Sequence, residues 1–291
     1  MTLSDVPLYS MQREYILLGE NYVSEARTAH KYEVLSKQFA NEIKLSNSLL
    51  ESMLPSKVVS DLRAGRPVYP EQFTNASIFF SDIVGFTSIA SNLEPSAVVD
   101  LLNQLYVVMD RVCKSFGLYK VETIGDAYMV VGGVPEPSVD HAVILANFAV
   151  CVRAAVTSVM NPLTNRSVEI RIGLHSGKVM GGVVGNMMPR FCLFGDTVNT
   201  ASRMESTGEP SKIHCSSAFA DFIAPSNQFK LIERGDIEVK GKGIMKTFWL
   251  DDATESNAAA NEASQLSFKM QSIDLVKLAS IQRPEYNIQQ L

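Results

Sequence analysis

An α+β fold built on a β-α-β-β-α-β unit is what this sequence predicts, and three observations predict it. Short runs of β-formers bounded by glycine and aspartate alternate with longer amphipathic stretches. Two of those amphipathic stretches separate the strands in the order of a ferredoxin-like antiparallel sheet with helices on one face. A length of 291 residues, 46% hydrophobic and 20% charged, allows one large domain with extensions and a real core.

The elements follow in chain order. From Tyr15 to Met53 there is no proline and the only glycine is Gly19. Apolar residues fall at 3/4 spacing through Tyr15, Leu18, Tyr22, Ala29, Tyr32, Phe39, Ile43, Leu50 and Met53, with Glu25, Ser36 and Ser46 interrupting the row. The pattern predicts an amphipathic helix, serving either as a coiled coil or as a helix packed on its own domain. Pro55 interrupts it, so residues 1–55 form an N-terminal helical segment and 56–72 a linker. A globular domain spans 73–250. Ala76–Ser81 reads as a buried strand. Pro95 opens a helix whose apolar positions are Val98, Leu102, Leu105, Met109, Val112 and Phe116. Leu118–Thr123 and Ala127–Val131 read as strands joined by a turn at Ile124-Gly125-Asp126. A second helix covers about Ser138–Val159. Val168–His175 and Lys178–Val184 read as strands around Ser176-Gly177. A helix at Thr197–Glu205 and several short strands complete the domain. Residues 251–291, rich in Ala, Asn, Ser and Glu at the start, read as a disordered tail with a short helix over Leu266–Ile281.

Composition narrows the function. A net charge of -5 with no basic block argues against general nucleic-acid binding. Cys113, Cys151, Cys192 and Cys215 show no CxxC pairing and read as reduced thiols of a cytoplasmic protein. The first residues carry Asp5 and no apolar core of a signal peptide. Val143–Val156, the longest apolar stretch, is broken by Asn147 and Arg153 and is too short to span a bilayer. Any membrane tether would lie in sequence beyond this chain.

Chemistry concentrates at two aspartates. Asp82 and Asp126 each end a run of β-formers beside glycine, within Phe80-Ser81-Asp82-Ile83-Val84-Gly85-Phe86-Thr87 and Thr123-Ile124-Gly125-Asp126-Ala127-Tyr128. A strand fixes each carboxylate, and glycine lets a phosphate approach the backbone. Mg²⁺ takes one or two carboxylates plus substrate phosphates, so the pair suits phosphoryl chemistry. Asn199 and Arg203, four apart, share a helix face. His175, with no second histidine near it in sequence, reads as a structural hydrogen-bonding residue.

The segment 73–250 resembles a class III nucleotide cyclase catalytic domain, closest to the eukaryotic guanylate cyclases. The resemblance rests on the two aspartate segments, on Val121-Glu122 before the second, and on Arg171-Ile172-Gly173-Leu174-His175-Ser176-Gly177. Phe194-Gly195-Asp196-Thr197-Val198-Asn199-Thr200-Ala201-Ser202-Arg203-Met204 and Val239-Lys240-Gly241-Lys242-Gly243 complete it. It implies that Asp82, Asp126 and the Ile83 carbonyl hold two Mg²⁺ or Mn²⁺ ions. It further places Asn199 on the ribose and Arg203 on the α-phosphate, with Arg171 and Lys240 as phosphate contacts. Gly85, Phe86 and Thr87 lie against the substrate. Leu49–Pro55 resembles the end of the helix that often precedes such domains.

The resemblance also assigns the purine-contacting positions to Glu122 and Cys192. One carboxylate accepts both N1–H and N2–H of guanine, and a thiol can meet O6; adenine asks for a cation and an acceptor instead. Cys192 read by itself is also a small buried hydrophobe. The expectation is a lyase that converts GTP to 3′,5′-cyclic GMP as a homodimer. The resemblance implies that the metal aspartates of each site come from one subunit, and the base-reading residues with Asn199 and Arg203 from the other. An upstream sensor or regulatory partner would act through the N-terminal helix. The alternatives are an adenylate or dual-specificity cyclase, and a catalytically silent cyclase-like module.

Overall fold

The computed structural model describes residues 11–185 and 187–251. The expected tail, from residue 252 on, and its short helix lie outside the described residues. The chain divides into two compact units. One comprises the residues up to Val68 with Gly185–Phe191, the other Tyr69–Val184 with the residues from Cys192 onward.

In the first unit, α1 (Met11–Met53) is a single 43-residue helix. It stops where expected, because Leu54 precedes Pro55 and the proline ring disfavours helical backbone there. The apolar row along it is exposed: Tyr15, Leu18, Tyr22, Tyr32, Phe39, Ile43, Leu50 and Met53 all face outward. The expected linker is not irregular throughout. Pro55 caps α2 (Ser56–Arg63), in which Val58 and Val59 are buried.

The second unit is one eight-stranded sheet. Its strands are β1 (Glu71–Ile83), β2 (Tyr119–Ile124), β3 (Ala127–Gly132), β4 (Ile170–Val184), β5 (Arg190–Phe194), β6 (Ile213–Ser216), β7 (Lys230–Val239) and β8 (Gly243–Asp251). They run in the order β2-β3-β1-β4-β6-β8-β7, with β5 paired to β4 off this path. The β2-β3-β1-β4 half is antiparallel throughout, which is the predicted ferredoxin-like core; β6 then adds parallel to β4. The helices are α3 (Phe86–Ser91), α4 (Pro95–Ser115), α5 (His141–Ala155), α6 (Asp196–Ser206) and α7 (Ser217–Ile223).

Helices α4 and α5 cover one face of the sheet. Leu101, Leu105, Met109 and Val112 of α4 pack with Leu145, Phe148 and Val152 of α5 on Phe79, Val130, Ile172 and Leu174. The Phe79 and Phe148 rings meet edge-on at 4.9 Å. Each such side chain contributes roughly 1.5–3 kcal/mol through its burial. Among the described residues, His141–Ser158 is the stretch apolar and long enough to cross a membrane by composition. Here it forms α5 and the turn after it, and its apolar side chains fill the core.

One expectation needs correction. Residues 168–184 do not fold as two strands around Ser176-Gly177. β4 runs unbroken from Ile170 to Val184, with Ser176 paired to Ser77 and Gly177 to Ala76. The glycine makes room rather than a turn, since a Cβ on Gly177 would lie 2.6 Å from Thr197 Oγ1 of α6. The two helices of the ferredoxin-like unit share one face as expected, while α6, which follows that unit, takes the other. Ile172 and Leu174 point toward α4 and α5, so Gly173 between them points the other way. There a Cβ would lie 2.0 Å from the Glu205 amide nitrogen, so α6 rests directly on the opposite face.

Candidate active site

The two aspartates converge as predicted. Asp82 ends β1, and Asp126 follows Gly125 in the β2–β3 turn, where Gly125 has a φ of +62° that favours glycine. The Ile83 N–H donates to Asp126 Oδ2 at 3.2 Å, tying the turn to the end of β1. Burial, followed by the hydrogen bonding and charge of Asp82, pushes the Asp126 carboxyl up to about 7. Two carboxylates held this close repel each other, and a divalent cation between them would relieve that repulsion. The donors are all oxygens, which suits Mg²⁺ or Mn²⁺ over softer ions. Among the described residues, no group of three or more His, Cys, Asp or Glu forms a fuller metal cage.

Arg171 stands opposite Asp82 in the β1–β4 register. Its Nη2 donates to Asp82 Oδ2 at 2.7 Å and its Nε to Glu205 Oε1 at 2.9 Å. The expected phosphate contact is thus held between two carboxylates. Glu205 was not legible as a site residue; it is buried on the inner side of α6, where burial pushes its carboxyl up and Arg171 offsets part of that.

Asn199 and Arg203 lie on the opposite side of α6. Two residues along a helix turn the side chain by about 200°, so a buried Glu205 leaves Arg203 outward, and both Asn199 and Arg203 are exposed. The structure does not aim them at the aspartates of the same chain. Lys240 is exposed at the start of the β7–β8 turn. Its neighbour Lys242, absent from the expected site, pairs with Asp196 in the first turn of α6.

Gly85 has a φ of +69° and caps α3 without a side-chain bond. The Phe86 ring packs against the core, while Gly85 and Thr87 are exposed. Phe86 is half-buried, so part of the residue remains open to solvent beside Gly85 and Thr87.

Glu122 reaches its position through an irregularity in β2. Tyr119 pairs with Val131 and Lys120 with Val130, but Glu122 pairs with Met129, leaving Val121 as an extra residue. Residues three apart on a regular strand face opposite sides; the bulge puts Tyr119 and Glu122 on the same side, away from α4. Burial, followed by the nearby Cys192, pushes the Tyr119 phenol up to about 12. Cys192, half-buried, therefore lies near the face that carries Glu122. His175 plays the structural part expected of it. Its Nδ1 bonds Ser216 Oγ at 2.6 Å, and burial, then the charge of Lys242, lowers its pKa to about 4.

A ferredoxin-like sheet with one aspartate at the end of its first strand, a second on the neighbouring hairpin turn, and an Asn/Arg helix on its far face defines a nucleotide cyclase catalytic domain. The chain belongs to the adenylate and guanylate cyclase catalytic domain family, whose model matches residues 68–252. The human guanylate cyclase soluble subunit beta-2 is 48% identical over 258 residues, covering 86% of this chain and 42% of its own length. The guanylate cyclase domain of RhGC from Catenaria anguillulae, solved in complex with GTP, matches with a TM-score of 0.60 and 42% identity, over 63% of this chain and 100% of that one. The non-canonical dimeric guanylyl cyclase domain of the RhoGC fusion protein from Blastocladiella emersonii matches with a TM-score of 0.58 and 41% identity, over 63% and 99%. The chain spans less than half the length of the human relative.

Proposed function

We propose that this chain cyclises GTP to 3′,5′-cyclic GMP and pyrophosphate as a homodimer with two equivalent sites. The observation that carries the reading is the convergence of Asp82 and Asp126 at one end of the sheet. The ribose 3′-oxygen bonds to the α-phosphorus while the bond from that phosphorus to the bridging oxygen of the pyrophosphate breaks. The hydroxyl proton passes to a phosphate oxygen or water, since no side chain presents itself as the base. Asp82, Asp126 and the Ile83 carbonyl would hold two Mg²⁺ or Mn²⁺ ions, which lower the pKa of the attacking hydroxyl and neutralise the leaving pyrophosphate.

The remaining work falls to the chain itself. The backbone at Gly85–Thr87 borders the phosphates, and Lys240 supplies a cation to them. Arg203 offers its guanidinium to the charge that builds on the α-phosphate, and Asn199 orients the ribose without adding charge. Because α6 turns these two outward, they serve the aspartates of a second copy, and a C₂ pair completes both sites. Arg171 reaches phosphate only by letting go of Asp82 or Glu205. Glu122 accepts the N1–H and N2–H of guanine, and Cys192 borders O6. The exposed apolar row of α1 supports its pairing as a coiled coil between subunits, through which an upstream sensor or a regulatory partner would act. Four cysteines that form no disulfide among the described residues fit a cytoplasmic placement, alone or on the inner side of a membrane-tethered protein.

The test is turnover by the purified chain of GTP and of ATP, each with Mg²⁺ and with Mn²⁺, with products resolved by chromatography. Cyclic GMP formed in preference to cyclic AMP supports the reading. A dimer that releases neither product overturns it.

A further inference from the structure

Asp126 sits on a turn, and turns are mobile unless something outside them holds them. Four side chains of the α4–hairpin interface supply that hold. The Tyr106 hydroxyl, from α4, donates to the Gly125 carbonyl at 2.5 Å. That carbonyl belongs to the peptide joining Gly125 to Asp126. The same amide is planar from the Gly125 Cα to the Asp126 Cα, so holding its oxygen also holds the point from which the Asp126 side chain departs. The carboxylate is held at its other end by the Ile83 N–H, 3.2 Å from Oδ2.

One helical turn further along α4, Asp110 grips both strands behind the turn. It accepts from the Tyr128 hydroxyl of β3 at 2.5 Å and from Lys120 Nζ of β2 at 3.0 Å. The Tyr106 and Tyr128 rings lie 5.8 Å apart, with Lys120 Nζ 4.9 Å from the Tyr128 centroid. Burial, then the charges of Asp126, Asp82 and Asp110, push the Tyr106 phenol up to about 12, so it remains a donor across the neutral range.

We propose that Tyr106 is a positioning residue for the candidate metal site, its hydroxyl fixing the Gly125–Asp126 peptide and Asp110 bracing the hairpin behind it. The ring's packing is separable from this role, because phenylalanine keeps the ring and loses only the hydroxyl. The proposal rests on the cyclase reading above.

The experiment is Mn²⁺ binding by the full chain, measured by the loss of the free-ion EPR signal in the presence of 3′-deoxy-GTP, which cannot cyclise. Wild type is measured first. If it neither binds Mn²⁺ under these conditions nor forms cyclic GMP from GTP, the cyclase reading fails. Given a binding wild type, Tyr106→Phe is expected to weaken Mn²⁺ about tenfold, the equivalent of one lost hydrogen bond. In turnover, half-saturating Mn²⁺ should rise by a similar factor and the rate should recover at high Mn²⁺, with the melting temperature lower by no more than about a few degrees and the GTP-over-ATP preference unchanged. Asp110→Asn, which leaves Tyr106 in place, should weaken Mn²⁺ in the same direction by a smaller factor, and this measure stands if the first variant does not fold. Mn²⁺ binding equal to wild type in the folded variants overturns the proposal.

Discussion

Glycine at 173 shows how little room one residue can have. Its missing Cβ is where the Glu205 backbone sits, 2.0 Å from the position such an atom would take. The neighbour is main chain, not the end of a flexible side chain, so a methyl group has to push α6 off the sheet. Gly173→Ala is expected to destabilise the domain by at least about 3 kcal/mol, the upper range for overpacking, read as a shift in the denaturation midpoint. Gly125 differs: nothing lies within 4 Å of its absent Cβ and only its φ of +62° opposes a side chain. Gly125→Ala should cost about 1–2 kcal/mol. At this scale the sequence was informative where chemistry is local. Asp82 and Asp126 stood out because each ends a β run beside glycine. Glu205, Tyr106 and Lys242 did not, because each matters through a partner 34, 19 or 46 positions away. No local pattern signals such a distance.

In the proposed reaction the choice of base falls to the elements that place Glu122 and Cys192. The extra residue in β2 sets the face on which Glu122 emerges, and Cys192 comes near that face from β5. Glu122→Lys with Cys192→Asp should therefore reverse the preference from GTP to ATP. Lysine donates to adenine N1, aspartate accepts from N6, and the same lysine confronts guanine N1–H with a cation. Glu122→Lys alone should lose GTP turnover without gaining ATP turnover, because a thiol is a poor acceptor. The ratio of kcat/KM values measures this, and a folded double variant that still prefers GTP would show that the two positions do not read the base. The helices were the most legible elements, since a 3.6-residue period over many turns is hard to mistake: α1, α4, α5 and α6 appear close to their expected bounds. The misreading of β4 has a definite cause. Ser176-Gly177 looks like a turn, but the same glycine also permits close approach by a helix, and only the position of Thr197 on α6 distinguishes the two.

The whole molecule has an acid limit that its buried histidines set. Burial lowers His175 and His214 to about 4, and lowers His141 as well. His214 gives its Nδ1 to the Met204 carbonyl at 2.7 Å, and His141 bonds Ser77 at 2.7 Å. Above about pH 6.5 these rings are neutral in both folded and unfolded chains. As the pH falls from there toward 4, the unfolded chain takes up protons that the folded one does not, so stability drops with falling pH. His175 and His214 each account for on the order of 3 kcal/mol across that window, measurable as denaturant midpoints at successive pH values. The Asp126 carboxyl, raised to about 7, works in the opposite direction over the same window, so the histidine share is read in Asp126→Asn, where a flat profile between about pH 6.5 and 4 would contradict the burial assigned to these rings. Assembly has its own test. Asp126→Ala and Arg203→Ala should each be inactive alone, yet mixing them should restore activity. In the heterodimer one site carries both defects and the other carries neither. Equal mixing makes half of the dimers mixed, so recovery should approach about a quarter of wild type. No recovery despite demonstrated subunit exchange would rule out sites shared between subunits.

The seating of α6 on Gly173 and Gly177 reaches beyond stability. At Gly173 helix backbone meets strand backbone and at Gly177 only the short Thr197 side chain intervenes, so there is little compressible material between them, and the Arg171–Glu205 pair ties the contact further. Helix and sheet must therefore travel as one rigid body. A regulator of the proposed dimer cannot tune turnover by sliding the helix within a subunit. It has to rock one subunit against the other, opening or closing the seam where the two halves of each site meet, and a long helical handle such as α1 is suited to transmit that torque.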